Sequence, residues 1–366
     1  MTVQPHLPRR ALAPLLTGTL ALALTQPHSQ AQASPVSPLH PANYLARGTV
    51  AQRSVATMPV LPNSAQMANY LKNLHSTYVT DQFKGKLPLS GNVFAYNIPI
   101  HTVNSKDPNQ NYEWFYSFDH RVKYQSDEYK KLMGAETPVR IPLPKNFQIP
   151  AGGDRSIAVY DLGTGLWRSF FLVQKTTEGE HKGRWHYSSG GYIKNARALA
   201  GSGHSLQLTG GSSSVVGMAS ELTQIGIDEV LAGRINHAVS FTLPNARSGY
   251  SWPARQGDGN LTDPLAPYEG QWFRINPAVN LDSLGLRPLT LMIAKALQKY
   301  GGYGSDRNIW CMAANYEYDT SQTEATQGNS RWYTQVQAKY GQAPENLHDF
   351  PFQHLQFAPK DWKGGL

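Results

Sequence analysis

The sequence predicts a mainly β protein, a β-sandwich or jelly-roll-like fold with a few packed helices. Three observations carry this. From Gly91 onward the chain runs in short segments rich in aromatic and β-branched residues. Gly, Pro, Asn and Asp punctuate those segments, which is the grammar of strands joined by turns. There is also no βαβ rhythm, internal repeat or coiled-coil pattern, and many short strands with isolated helices suit a sandwich or jelly roll.

The elements follow in order. Arg9 and Arg10 precede the apolar run "ALAPLLTGTLALAL", and "AQA" places Ala31 and Ala33 at the small-residue positions of a cleavage site. Charged start, short apolar middle and small-residue exit make 1–33 a secretory signal peptide; a retained N-terminal anchor is the alternative. The run falls short of the ~20 apolar residues of a membrane span, so stable membrane insertion is not expected. Residues 34–62 are rich in Pro, Ser and Ala without periodicity and read as a linker. The remainder, 63–366, is expected to form one β-rich domain opening on a helix. In that helix Met67, Tyr70, Leu71, Leu74 and Tyr78 share a face, and Asn63 or Ser64 can cap its start.

Strand-like runs then succeed one another: "NVFAYNIPIHTV", "YEWFYSFD", "VRIPLP", "SIAVYDL", "WRSFFLVQK" and "GRWHYSSGGYI". "YDLGTGLWRSFFLV" reads as a hairpin turning at Gly163–Gly165. The Gly- and Ser-rich stretch 197–219 reads as a long, lid-like loop. "ASELTQIGIDEVLAG" follows as two short helices, "INHAVSF" and "GQWFRINP" as strands, and "IWCMAANYEY" as one more. "RPLTLMIAKALQKYGG" is the clearest helix, with Pro288 in its first turn and Gly301 as its stop.

Composition narrows the function. The single cysteine, Cys311, lies in an apolar run and reads as a packed thiol, so no intramolecular disulfide framework supports the fold. The formal charge is +8; without Arg9 and Arg10 of the leader, which has no acidic residue, it is +6. That charge is spread out rather than clustered, which argues against nucleic acid as partner and is compatible with an acidic polymer outside the cytoplasm. The chain has no G-x-S-x-G elbow, H-E-x-x-H helix, Walker loop or paired C-x-x-C. Nothing in it asks for a cofactor. His101, His120, His181, His186 and His204 lack a metal-binding spacing, so no metal is expected.

Four ordered blocks carry a resemblance: "GIDEVLAGRINHAVSFTLP", "WPARQGDG", "GQWFRINP" and "ALQKYGGYGSD", preceded by "AVYDLGTGLW". From residue 91 onward, and most strongly over 226–306, the chain resembles a largely uncharacterised family of secreted, β-rich bacterial proteins loosely associated with carbohydrate-active proteins. The resemblance implies an extracellular, β-rich protein; the expectation from the chain as a whole is a secreted or periplasmic protein whose partner is an extracellular polysaccharide, acidic in one version. It brings no catalytic residue with it.

The residues themselves supply the candidates. If "INHAVSF" is a strand, Ile235, His237, Val239 and Phe241 share one face. His237 there is either a core histidine satisfied by backbone or a carboxylate, or an acid/base tuned by desolvation. Asp258 in "QGDGN" is either a turn residue bonded to its own backbone or a group presented to substrate beside Arg255. The planar fork of Arg255 suits an acidic sugar. Glycosidic hydrolysis needs two carboxyl groups, and Glu113, Asp119, Asp161, Glu221 and Asp258 are available. Glu113 and Asp119 on one strand would lie about 20 Å apart, too far to act on one bond, so a pair has to be assembled across strands. A polysaccharide lyase would instead draw on His237 or Tyr250 as base. Trp114, Trp167, Tyr250 and Trp252 are candidates to stack on sugar faces, with core packing as the alternative for each ring. The leading expectation is a glycoside hydrolase using a carboxyl pair. The rivals are a lyase on an acidic glycan and a non-catalytic glycan-binding or envelope protein; oligomeric state stays open.

Overall fold

The structure is a computed structural model that describes residue 45 and residues 47–74, 89–93 and 95–363. The expected signal peptide lies outside the described residues, which all belong to one unit spanning 38–366. The protein is mainly β: the described residues form fifteen strands in three mixed sheets and few helices.

The helix expected first is α1 (Ser64–Asn73). Asn63 sits at its N-cap without a side-chain bond, while the Ser64 hydroxyl donates to Leu61 O at 2.8 Å and accepts from Phe357 N at 3.0 Å. Ser64, the first helical residue, therefore ties the helix start to the last strand. The best-marked helix, α2 (Pro288–Tyr300), begins at Pro288 and stops at Gly301, whose φ is 75°.

The largest sheet has the order β1-β14-β11-β13-β12-β15. Its strands are β1 (Ser90–Asn92), β11 (Val239–Leu243), β12 (Trp272–Ile275), β13 (Gly302–Arg307), β14 (Ala313–Asn315) and β15 (Leu355–Phe357). A five-stranded sheet has the order β10-β9-β6-β5-β2. It comprises β2 (Ile100–Val103), β5 (Ile157–Asp161), β6 (Trp167–Phe171), β9 (Ser189–Ile193) and β10 (Thr209–Gly210). The third sheet, β4-β3-β8-β7, comprises β3 (Tyr112–Ser117), β4 (Val139–Pro142), β7 (Gln174–Lys175) and β8 (Trp185–Tyr187). Four pairings are parallel: β1/β14, β2/β5, β3/β8 and β11/β13. Jelly rolls are built from antiparallel strands, so this strand order does not confirm a jelly roll, while the β-rich architecture is compatible with a sandwich.

Three cores explain the stacking. Leu71, Ile293 and Leu297 pack the helices on Phe241, Phe273 and Ile275 of the large sheet. Its opposite face gives Trp272 and Tyr303 to a second core, which receives Tyr160, Trp167 and Ile193 from the five-stranded sheet. Val159, Phe170 and Tyr192 turn the other way, toward Phe115 and Ile141 of the small sheet. Alternation along each strand thus sends successive residues to different cores. Gly302 makes the helix-to-sheet contact close: a Cβ there would meet Leu297 Cδ2 at 2.7 Å.

Two expectations are corrected here. The described part of the expected linker, residues 45 and 47–62, is packed: Leu45, Val50, Ala51, Val55 and Met58 belong to the middle core, and Val55 N donates to Lys299 O at 3.0 Å. Arg53 lies over Trp272 at 4.4 Å and Trp362 at 4.2 Å. This segment follows an irregular path and buries its apolar residues one at a time, so no periodicity marks them. Likewise, β11 begins only at Val239, and His237 falls at a bend before it. The face-sharing inferred from a longer strand does not apply to His237.

The hairpin at 157–171 is as expected, with Tyr160 opposite Trp167. Trp167 is fully buried and donates from Nε1 to Ser169 Oγ at 3.2 Å. Trp167→Ala should cost about 3–5 kcal/mol, read from urea unfolding at 25 °C. A cost under about 1 kcal/mol would mean that the middle core does not hold the two larger sheets together.

Candidate functional site

A cleft of about 950 Å³ opens where β11 and β13 end, between the large sheet and the five-stranded sheet. Its size is that of a ligand pocket. Ligands of sheets with parallel strands commonly bind beyond the strands' carboxyl ends. Thr242 from β11, Asp306 and Arg307 from β13, and Asn315 from β14 reach it from the large sheet. Asp154, Ser156 and Phe171 line it from the other side. The stretch expected as a lid-like loop supplies Ser212–Val215 as a wall.

Local geometry aims the key side chain. The register of β11 on β13 passes from Phe241↔Gly304 to Thr242↔Asp306, leaving Ser305 as an extra residue in β13. Such a bulge re-aims the residues beside it. Asn315 braces it, donating from Nδ2 to Ser305 Oγ at 2.9 Å and accepting from Thr242 Oγ1 at 3.0 Å.

Asp306, Asp258 and Glu269 each bring one carboxylate oxygen to within 4.8 Å of the other two. Glu269 is buried. Its Oε2 accepts from Asp258 N at 2.8 Å and Gly259 N at 3.3 Å, while Oε1 has no hydrogen-bond partner. The loop can wrap the carboxylate this closely because residue 257 is glycine, where a Cβ would lie 2.4 Å from Oε2. Burial, then the neighbouring Asp258, pushes Glu269 up to about 8. Burial, reinforced by Asp154 and Asp258, pushes Asp306 up to about 7 against the Arg307 backbone bond that lowers it. Burial also raises Asp154. Asp258 is half exposed and takes Arg307 Nε on its Oδ1 at 2.8 Å. Asp306 thus presents to the cleft a carboxyl that retains its proton near neutrality, beside Asp258 paired with arginine, while Glu269 holds the Asp258 backbone from outside the cleft lining.

These three acids are also the described residues whose spacing is compatible with a metal ion, as hard oxygen donors of the kind that calcium or magnesium takes. The Arg307 guanidinium already brings positive charge to Asp258.

At the cleft wall Tyr96 and Trp310 stand with ring centroids 6.0 Å apart and planes at 59°. Both are exposed, and Tyr96 holds a φ of 63°, a strained conformation for a residue with a Cβ. Beneath the cleft Glu221 is fully buried and raised by burial. Its Oε1 accepts from Ser169 Oγ at 2.6 Å and from Ser213 Oγ, and its Oε2 has no partner.

Of the residues singled out in the sequence, Asp258 lines the cleft. Its backbone is held by Glu269 and its side chain by Arg307, not by its own turn. Arg255 lies outside the cleft lining and donates to Leu208 O. His237 is wholly buried between Ala238 O at 2.8 Å and Glu229 Oε1 at 3.0 Å. Burial lowers its basicity, but Glu229 more than restores it, and the net shift is upward. Asp161 is a turn anchor of the β5–β6 hairpin, accepting from Ser105 N at 2.8 Å and Gly163 N at 2.9 Å. Glu113 accepts from Trp185 Nε1 at 3.2 Å on the small sheet. Trp167 offers no surface to a sugar, and Trp252 packs with Arg53 at 5.2 Å. Tyr250 and Trp114 are exposed, each away from the cleft lining. The bases named for a lyase, His237 and Tyr250, therefore both lie outside it.

Sequence reading passed over Asp306, Glu269 and Arg307. Asp306 closes the block "ALQKYGGYGSD", and the signal available was its position at the end of a strand following the best-marked helix. Glu269 carried no such mark. No protein-family model, curated protein or solved structure matches the chain. Among the described residues, no helix is long and apolar enough to cross a membrane.

The raised carboxyls imply a stability trend. Unfolded carboxyls lose their protons near pH 4, whereas folded Asp306 and Glu269 keep theirs to about 7 and about 8. Between those limits the folded state binds more protons, so stability falls as pH rises. At about 1.4 kcal/mol per pH unit for each group, two units for Asp306 and three for Glu269 set a decline of up to about 7 kcal/mol from pH 5 to 8.5. In Glu269→Gln/Asp306→Asn the melting temperature should vary much less over that range; an unchanged slope would show that these groups are not desolvated.

Proposed function

We propose that the protein is a polysaccharide-cleaving enzyme acting outside the cytoplasm, a glycoside hydrolase whose carboxyl pair is Asp306 and Asp258. The observation that carries this reading is the convergence of these acids, with oxygens within 4.8 Å, in a cleft large enough for several sugar rings. Retaining glycosidases hold their two carboxyl groups about 5–5.5 Å apart, and a spacing this short leaves no room for the water of an inverting reaction. Asp306, up to about 7, is the acid. It gives its proton to the glycosidic oxygen as the C1–O bond breaks, while Asp258 attacks C1 and forms a glycosyl ester. Water then adds to C1, Asp306 takes the water's proton and Asp258 leaves. Arg307 and the buried Glu269 act as positioning residues for Asp258. Tyr96 and Trp310 supply ring faces for sugar C–H groups.

Mature protein should release reducing ends from some member of a broad glycan panel. Asp306→Asn should lower kcat by about 10²–10⁴-fold. Because Asp306 donates only when protonated, kcat/KM should fall about tenfold per pH unit above about 7. A glycan that binds and stays intact would overturn the enzyme reading, and full activity in Asp306→Asn would overturn the assignment of the acid.

A further inference from the structure

The small sheet presents an outer face that the cleft does not use. Along β3, Phe115 and Ser117 turn into the core. The alternate positions Tyr112, Trp114 and Tyr116, continued by Phe118 beyond the strand, turn outward. Trp114 is 47% and Phe118 52% exposed, while Tyr112 and Tyr116 are half-buried, with the His181 ring edge-on to Tyr116 at 4.5 Å and the His186 ring edge-on to Phe118 at 5.1 Å. Positions two apart on a strand repeat at about 6.8 Å, which lays the rings along a line. Cations flank that line. Arg140 on β4, opposite Trp114 in register, has its guanidinium 4.5 Å from the Tyr112 ring centroid, and Arg184 lies 5.8 Å from that of Trp114. Neither arginine forms an ion pair among the described residues. The acid on the same strand, Glu113, occupies the opposite register and accepts from Trp185 Nε1. Glu178 and Glu180 belong to the β7–β8 loop, outside the register positions of the row.

We infer that this face is a second glycan-binding surface, separate from the cleft, for a strand of acidic polysaccharide. Rings in a row take the C–H faces of successive sugars, and arginines beside them take uronate or sulfate groups in two-bond contacts. A nucleic acid strand fits less well, because it carries a charge at every nucleotide and asks for a denser cationic track than two arginines. The inference rests on the glycan reading of the cleft only for its choice of ligand class.

Affinity electrophoresis of the full chain in gels containing polygalacturonate, alginate or heparin tests it, with neutral dextran and oligo(dT) as controls. At least one acidic polymer should retard the wild type, and dextran should not. Trp114→Ala/Phe118→Ala and, independently, Arg140→Ala/Arg184→Ala should each weaken binding about tenfold, a loss of about 1.4 kcal/mol, with melting temperatures retained. Asp306→Asn should be retarded like wild type, which separates this surface from the cleft. The inference is overturned if none of the three polymers retards the protein, if both double variants migrate like wild type, if dextran retards it equally, or if oligo(dT) binds more tightly. Absence of cleavage with this binding intact would fall on the cleft reading alone.

Discussion

The parallel pairing of β11 with β13 is the contact on which the other features converge. It joins residues 239–243 to residues 302–307, with β12 and α2 lying between them in the chain. Antiparallel neighbours close with a short turn, but a parallel pair needs a crossover, and here α2 supplies the helix packed on the sheet. The same pairing brings Thr242 beside Asp306, and its bulge falls at the cleft floor. The ordering of a long crossover and the aim of one carboxyl are consequences of a single register.

The cleft then balances two opposing terms. Removing a carboxyl from water favours its neutral form, and neighbouring carboxyls push the same way. Against this stand the guanidinium of Arg307 and the backbone N–H groups of 258 and 259. The donors are unevenly shared, so the three acids are not equivalent. Asp258 holds the arginine, Glu269 holds the backbone bonds of 258 and 259 with one oxygen unsatisfied, and Asp306 takes backbone bonds from Arg307 and Val215. Unequal environments for adjacent titrating groups are what acid/base chemistry needs.

Much of the fold was legible because its signals are local. Pro288 and Gly301 bound α2 as their backbone preferences dictate, and Gly163–Gly165 turns the β5–β6 hairpin. What was not legible depends on distant neighbours. His237 lies at a bend because β11 is shorter than its apolar pattern, and Trp167 differs from Trp114 only in what later strands lay over it. Of the site, Asp258 was readable from its glycine-flanked loop. Its partners were not, since Glu269 and Asp306 reach it through tertiary packing and Arg307 replaces the nearer Arg255. Two carboxyls 48 positions apart in the chain leave no spacing to detect.

The segment 47–62 has a practical corollary. Val50, Val55 and Met58 fill the middle core against the same layer as Trp272, and Arg274 donates to Ala56 O at 2.8 Å. A recombinant version trimmed to start at α1, as composition alone would suggest, would strip that layer. It would leave an indole and a guanidinium without their packing partners. The functional boundary for truncation therefore lies upstream of Thr49, inside what looks by composition like dispensable tether.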